Sequence, residues 1–294
     1  MRQDPFFNVS GSRYSIFGAL TFIGDKKMRK FVGFFCLMFF VGLSAANAST
    51  ITFNDFSNAS AFTFNGSAKT INDVLRLTPS VRKKAGSAFL TDPISLGNKG
   101  SFSTNFKFQI TNSDGDEGGA DGLVFVIQTV SKFALGDTGG NMGYYGISPS
   151  IGIEFDTYKN SGDSNGNHIA INLNGKTGPG SVAYYDVPTN LNNGNIWYTW
   201  IDFDGTSNLM EVRLSESDSI PAEAQLSYAL DVSKILDTSN VFAGFTSGTG
   251  GGYGNHDILS WEFKVVPIPS SFWLLSLGLI GIVGMRFKRE EKIT

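Results

Sequence analysis

Cysteine is almost absent: Cys36 is the one cysteine in 294 residues. An internal disulfide is excluded, so the fold must be stable without a covalent cross-link. Clustered Lys and Arg are scarce as well, and the formal net charge is -3 with a sequence pI near 5.4. Nucleic acid, whose phosphates demand such clusters, is excluded as a partner. No sustained helical period runs through the chain. What is plentiful is glycine, 35 residues, and phenylalanine, 26. That is the composition of a loop-rich β protein with enough apolar residues for one main domain.

From Ser49 the pattern is one of short apolar-alternating segments separated by Gly, Asn, Asp, Ser and Thr. It predicts strands at 51–53, 74–77, 87–90, 102–110, 123–128, 182–185, 196–203, 209–214, 227–230, 242–246 and 258–265, with one helical turn at 232–236. So many strands at short spacing predict an all-β fold, an antiparallel two-sheet β-sandwich of the jelly-roll kind.

The densest chemistry lies in SPSIGIEFDTYKNSGDSNGNHIAINLNG, residues 148–175. Side chains alternate across a strand, so Ile151, Ile153 and Phe155 share one face and Glu154 and Asp156 the other. On the returning segment Ile169, Ile171 and Leu173 oppose His168, Ala170 and Asn172. The loop between is polar and turn-forming. One imidazole with three carboxylates (Glu154, Asp156, Asp163, His168) suits manganese or another six-coordinate transition metal. Asp156 and Asp163 can be shared with a second ion completed by the Tyr158 carbonyl, the Asn160 side-chain oxygen and water, a calcium-type shell. Two rivals fail on residues. An EF-hand begun at Asp163 needs Gly where His168 stands and Glu where Asn174 stands. A retaining glucan hydrolase needs a second glutamate after Asp156, where Thr157, Tyr158 and Lys159 follow.

The E-x-D-x-Y-x-N and D-x4-H spacing of that hairpin resembles the metal loop of the legume-type (L-type) lectins. The resemblance extends through ADGLVFVIQ (120–128), GGNMGYYGI (139–147) and HDILSWEF (256–263), in the family's order. It implies a lectin-type jelly roll over 49–264, calcium and manganese as cofactors, and a cis Ala120–Asp121 peptide. By the same resemblance Asp121 accepts from two sugar hydroxyls, the Asn160 amide and the Gly140 N–H donate, and Tyr158 covers the sugar's apolar face. Tyr144, Tyr145 and Tyr253 are further aromatic candidates, and the loop 248–255 sets pocket shape. The acidic run Asp114-Gly115-Asp116-Glu117 reads as a solvated turn.

The two ends carry different signals. Basic residues from Lys26 to Lys30, the apolar run 31–43 and the A-x-A step ending at Ala48 form a secretory leader at 28–48. Residues 1–27 precede it, so either translation starts at Met28 or 1–27 is a disordered, non-native extension. Residues 265–294 combine a Pro/Ser stretch, an apolar run at 272–285 and a basic end. This resembles a bacterial PEP-CTERM sorting tail with a transmembrane segment, although Ile268 stands where that family has Glu. The positive-inside rule then leaves the domain outside the inner membrane. The expected protein is exported to the envelope or beyond and binds rather than cleaves. Its expected partners are a polysaccharide or glycoconjugate, the membrane through the tail, and a second copy of the chain. The alternatives are a glycan hydrolase on the same sandwich and a matrix structural protein with a decayed sugar site.

Overall fold

A computed structural model describes residues 49–97, 100–163 and 165–266. The expected extension at 1–27, the expected leader at 28–48 and all of the expected tail after Val266 lie outside the described residues, while Val265 and Val266 end the last strand. The chain runs through β1 (Ser49–Phe53), β2 (Phe62–Gly66), β3 (Lys69–Ile71), β4 (Val74–Thr78), β5 (Ala85–Leu90) and β6 (Ile94–Ser95). Next come β7 (Ser101–Asp114), β8 (Gly122–Gln128), β9 (Ser150–Asp156), β10 (His168–Leu173) and β11 (Ala183–Asp186). It closes with β12 (Ile196–Asp204), β13 (Leu209–Ser215), β14 (Leu226–Ala229), α1 (Val232–Leu236), β15 (Asn240–Gly248) and β16 (Tyr253–Val266).

Two antiparallel sheets form the expected sandwich. One has the order β14-β13-β12-β7-β16-β4-β3, with β1 also on β16, and the other β11-β10-β9-β8-β15-β5-β2, with β6 on β15. In β7 every second residue from Phe102 to Ile110 is buried, which is the period that lets one face of a strand enter a core. Phe106 on that face meets Phe125, Phe155 and Phe245 of the opposite sheet at ring distances of 5.9, 5.7 and 5.0 Å. Aromatic contacts of this kind add to area burial in knitting the two sheets together.

The second sheet is buried on both faces, because a long connection between β8 and β9 covers its outer side. Phe89, Val124 and Val126 pack there against Ala134, Met142, Tyr144 and Ile147. Every residue of β8 and β9 is buried in consequence. The acidic face of the hairpin is therefore enclosed rather than open to the surface.

The helical turn at 232–236 forms as expected, capped by the Asp231 carboxylate, which accepts from the Lys234 N–H at 3.0 Å. Three strands lacked a readable sequence signal. β3 and β6 have three and two residues, too few for an alternation to register, and β2 stands in a Ser/Thr/Asn-rich stretch. β7 runs past Ile110 to Asp114 because its polar end pairs with Tyr253 and Asn255 of β16. Among the described residues, no helix is long and apolar enough to cross a membrane.

Candidate functional site

Pairing of β9 with β10 sets Asp156 opposite His168 and Glu154 opposite Ala170. Potential ligand atoms of Glu154, Asp156 and His168 all lie within 4.8 Å of one another. All three residues are buried. Asn172, on the same face, donates to Glu154 Oε2 and is itself bonded by Ser181 Oγ at 2.6 Å. Among the described residues, Glu154 Oε1 and both ring nitrogens of His168 lack a hydrogen-bond partner of good geometry. The His168 ring lies 4.3 Å from that of Tyr184.

Without a counter-charge this cluster is electrostatically unfavourable. Burial pushes Glu154 up to about 7. Burial, reinforced by the neighbouring Glu154 charge, pushes Asp156 well above the usual carboxylate range. Burial also lowers His168, against the opposing pull of Asp163 and Asp186. Burial thus favours the neutral form of all three groups, so ionising the two acids here requires a compensating positive charge. A dication would supply that charge, and buried oxygen and nitrogen atoms of this kind fit one.

Asp163 is the fourth residue of the expected set. It stands outside the close triplet, and its Oδ2 accepts the Asn160 N–H at 2.8 Å. Its charge still acts on Glu154, Asp156 and His168. The Tyr158 N–H bonds Asp156 Oδ1 at 2.6 Å, and the Tyr158 carbonyl faces Asn160 Nδ2 at 3.5 Å. Asp156, Tyr158, Asn160 and Asp163 thus form one bonded loop segment.

Asp121 lies one strand away. The Ala120–Asp121 peptide is cis, and Gly122 pairs with Asp156. The Asp121 carbonyl accepts the Thr157 N–H at 2.9 Å, and its own N–H bonds the Gly248 carbonyl at 3.1 Å. Asp121 is 3% exposed, its Oδ2 has no hydrogen-bond partner among the described residues, and burial pushes the carboxyl up to about 7. Two glycines close on this point. A Cβ at Gly140 would stand 2.5 Å from Asn160 Oδ1, and one at Gly250 would stand 3.2 Å from Asp121 Oδ2. Asp121, the Gly139–Gly140 turn, Asn160 and Gly250 therefore converge at one end of the sandwich, beside the acid–imidazole triplet.

Among the tyrosines, Tyr144 is a correction. It is wholly buried, lies flat over Gly152 and shares a hydrogen bond with Ser150 Oγ at 2.9 Å. It packs the outer layer and cannot meet a ligand. Tyr145 is 54% exposed, and Tyr253 lies half-buried with its hydroxyl 3.2 Å from Asp114 Oδ2. The acidic turn is exposed as expected, yet it packs against the loop before Tyr253: a Cβ at Gly251 would collide with the Asp116 carboxylate. Sequence reasoning missed the roles of Asn172 and Ser181. Asn172 could have been found, since it shares the polar face of β10 with His168.

A jelly-roll sandwich with a buried acid–imidazole cluster next to a shallow, glycine-walled end is the architecture of a carbohydrate-binding lectin. The chain belongs to the legume lectin domain family, whose model matches residues 48–272. It is 32% identical over 216 residues to the basic agglutinin of Psophocarpus tetragonolobus, covering 66% of this chain and 85% of that one. It is 30% identical over 260 residues to the L-type lectin-domain containing receptor kinase IV.2 of Arabidopsis thaliana, covering 80% of this chain and 38% of the kinase. The chain thus spans little more than a third of such receptor-kinase relatives. Its fold overlays that of a lectin from Bauhinia forficata solved in complex with GalNAc, with TM-score 0.65, 25% identity, and coverage of 75% of this chain and 99% of the lectin. The basic winged bean lectin with Tn-antigen gives 0.64 at 28% identity, covering 75% and 99%. Family and fold support carbohydrate binding, and the domain is non-catalytic, which sets aside the hydrolase alternative for these residues.

Proposed function

We propose that this chain is an exported lectin whose shallow sugar site is shaped by calcium and manganese. The observation that carries the reading is the convergence of Asp121, Gly140 and Asn160 on one point next to the buried Glu154, Asp156 and His168 cluster. Glu154, Asp156, Asp163 and His168 would hold the transition ion. Asp156, Asp163, the Tyr158 carbonyl and Asn160 would hold calcium. Bound, the ions supply positive charge that keeps the carboxylates ionised.

The sugar is held by this chain's own groups. Asp121, ionised, accepts from two hydroxyls, the Asn160 amide and the Gly140 N–H donate, and Tyr158 packs against the ring's apolar face. Burial gives these hydrogen bonds their strength, since the carboxylate has few water partners to lose. Leader, apolar 272–285 run and basic end support export with retention at a bacterial envelope until the tail is processed. Partners in this reading are polysaccharide or glycoconjugate, the membrane and a second copy of the chain. A glycan array probed with calcium- and manganese-loaded protein tests it. Binding to defined glycans that EDTA abolishes is the expected result, and an array with no metal-dependent signal overturns it.

A further inference from the structure

One flank of the candidate sugar site carries three consecutive cations, Arg82, Lys83 and Lys84, all exposed. Among the described residues none of the three forms an ion pair; the salt bridges present involve Arg76, Lys107 and Arg213. Their backbone is laminated onto the glycine-rich loop that touches Asp121. The Ser80 N–H bonds Asn255 Oδ1 at 2.8 Å, the Thr249 hydroxyl donates to the Val81 carbonyl at 2.7 Å, and the Lys84 N–H bonds that same hydroxyl oxygen at 2.9 Å. The Thr249 N–H returns a bond to the Lys84 carbonyl at 2.8 Å, and the Lys83 N–H reaches the Gly250 carbonyl at 3.2 Å. The Arg82 guanidinium lies 5.8 Å from the centre of the Tyr253 ring. A loop tied at this many points holds its backbone at a fixed place, the rim beside Gly250, from which the three side chains project.

The other flank of the same loop bears the opposite sign. Asp114, Asp116 and Glu117 are exposed there, with Asp114 held by Tyr253 and Asp116 packed on Gly251. The strip from Gly250 to Tyr253 therefore separates a cationic wall from an anionic one. A glycan seated on Asp121 and extending over that strip meets a field that depends on direction. An anion on the neighbouring residue is stabilised on one side and repelled on the other. Opposed walls of this kind give specificity and register more than affinity.

We infer that the site selects glycans with a carboxylate or sulfate on the residue next to the one at Asp121, oriented so that the anion faces Arg82, Lys83 and Lys84. The inference rests on the proposed sugar site and names its ligand class. An exposed ion pair is worth roughly a 1.4- to 5-fold change in affinity, so three cations sharing one or two anions give about a fivefold to tenfold preference at low salt. The Debye length falls to about 3 Å at 1 M salt, which removes that preference.

The test uses the full-length, metal-loaded protein in detergent. Its probes are polygalacturonate oligomers with their methyl esters, and a sulfated galactan with its desulfated form. Wild type should bind each anionic member at least fivefold more tightly than its neutral partner at low salt, and equally at 1 M. Preference for only the uronate pair or only the sulfate pair identifies the source of the anion. In the Arg82→Gln/Lys83→Gln/Lys84→Gln variant, with folding confirmed by circular dichroism, the ratio should fall to about one. Asp116→Asn/Glu117→Gln should raise affinity for the anionic members, giving a second, independent readout. Equal binding of anionic and neutral members by wild type, with Asp121→Asn abolishing both, overturns this inference alone. So does binding confined to glycans outside both probe pairs. An anion preference that survives Asp121→Asn makes the cations a simple ion-exchange surface and overturns it too. No metal-dependent glycan binding at all overturns the sugar site itself.

Discussion

Replacing Asp121 by Asn should move function and stability in opposite directions. On the binding side, the amide offers one acceptor where the carboxylate offers two, and the charge assistance is lost. A hydrogen bond to a charged group contributes roughly 1.5–3 kcal/mol, so the affinity should fall by about ten- to a hundredfold. On the folding side, burial pushes this carboxyl from 3.8 up to about 7. Below pH 3.8 both folded and unfolded states hold the proton, and the group is neutral to stability. Between 3.8 and about 7 the folded state holds more protons, so metal-free stability declines as pH rises. Above about 7 the full penalty is present, roughly 4 kcal/mol at most, from three units at about 1.4 kcal/mol each. The amide has no such penalty. In EDTA, the variant should therefore melt higher than wild type at pH 8 and near wild type at pH 4. Calorimetric titration with the best array glycan and melts at the two pH values check both halves. Unchanged affinity would place the sugar elsewhere, and a pH-independent difference in melting would refute the burial argument for Asp121.

Other perturbations separate the remaining parts. Exhaustive EDTA should lower the melting temperature and abolish glycan binding, with calcium plus manganese restoring both, because a ligand at a thousandfold excess over its Kd stabilises by roughly 4 kcal/mol. Asp156→Ala should melt like EDTA-treated wild type and ignore added metal, which differential scanning fluorimetry would show. Gly140→Ala places a methyl 2.5 Å from Asn160 Oδ1. Displacing that amide should cost about tenfold in affinity, roughly the worth of one hydrogen bond, and because Asn160 is also a proposed calcium ligand, elemental analysis should show calcium content falling while manganese stays at the wild-type level. Removing 267–294 should turn a membrane-fraction protein into one recovered in the medium. Full-length chain in the medium with its C-terminus intact, read by mass spectrometry, would count against the anchor.

The hairpin was legible because period-2 alternation is a local property: Ile153 and Phe155 against Glu154 and Asp156 needed no knowledge of the rest of the chain. The two alternating segments flank one polar, turn-forming loop, and they pair with Asp156 opposite His168. Strand β2 and the two shortest strands were illegible for the converse reason, since their pairing is dictated by neighbours in space. Tyr144 was misjudged because exposure of a loop residue depends on whether the loop lies on a sheet. Glycine at 152, which makes room for that ring, has no signature except its own presence. Asn172 was placed on the correct face, but its bond to Glu154 depends on side-chain reach across two strands.

The connection covering the second sheet leaves β8 at Gln128 and re-enters β9 at Ser150, two residues that pair directly. It carries Gly139 and Gly140 to the candidate sugar site, yet its two ends meet at one rung of the ladder. Closing a longer excursion at a fixed rung costs only about 0.6 kcal/mol per doubling of length. The frame is therefore nearly indifferent to what is spliced between those rungs, provided an apolar underside like that of Met142 and Ile147 is kept. The segment is an exchangeable cassette: transplanting the corresponding stretch from a lectin of known preference should transfer part of that preference without rebuilding the sandwich.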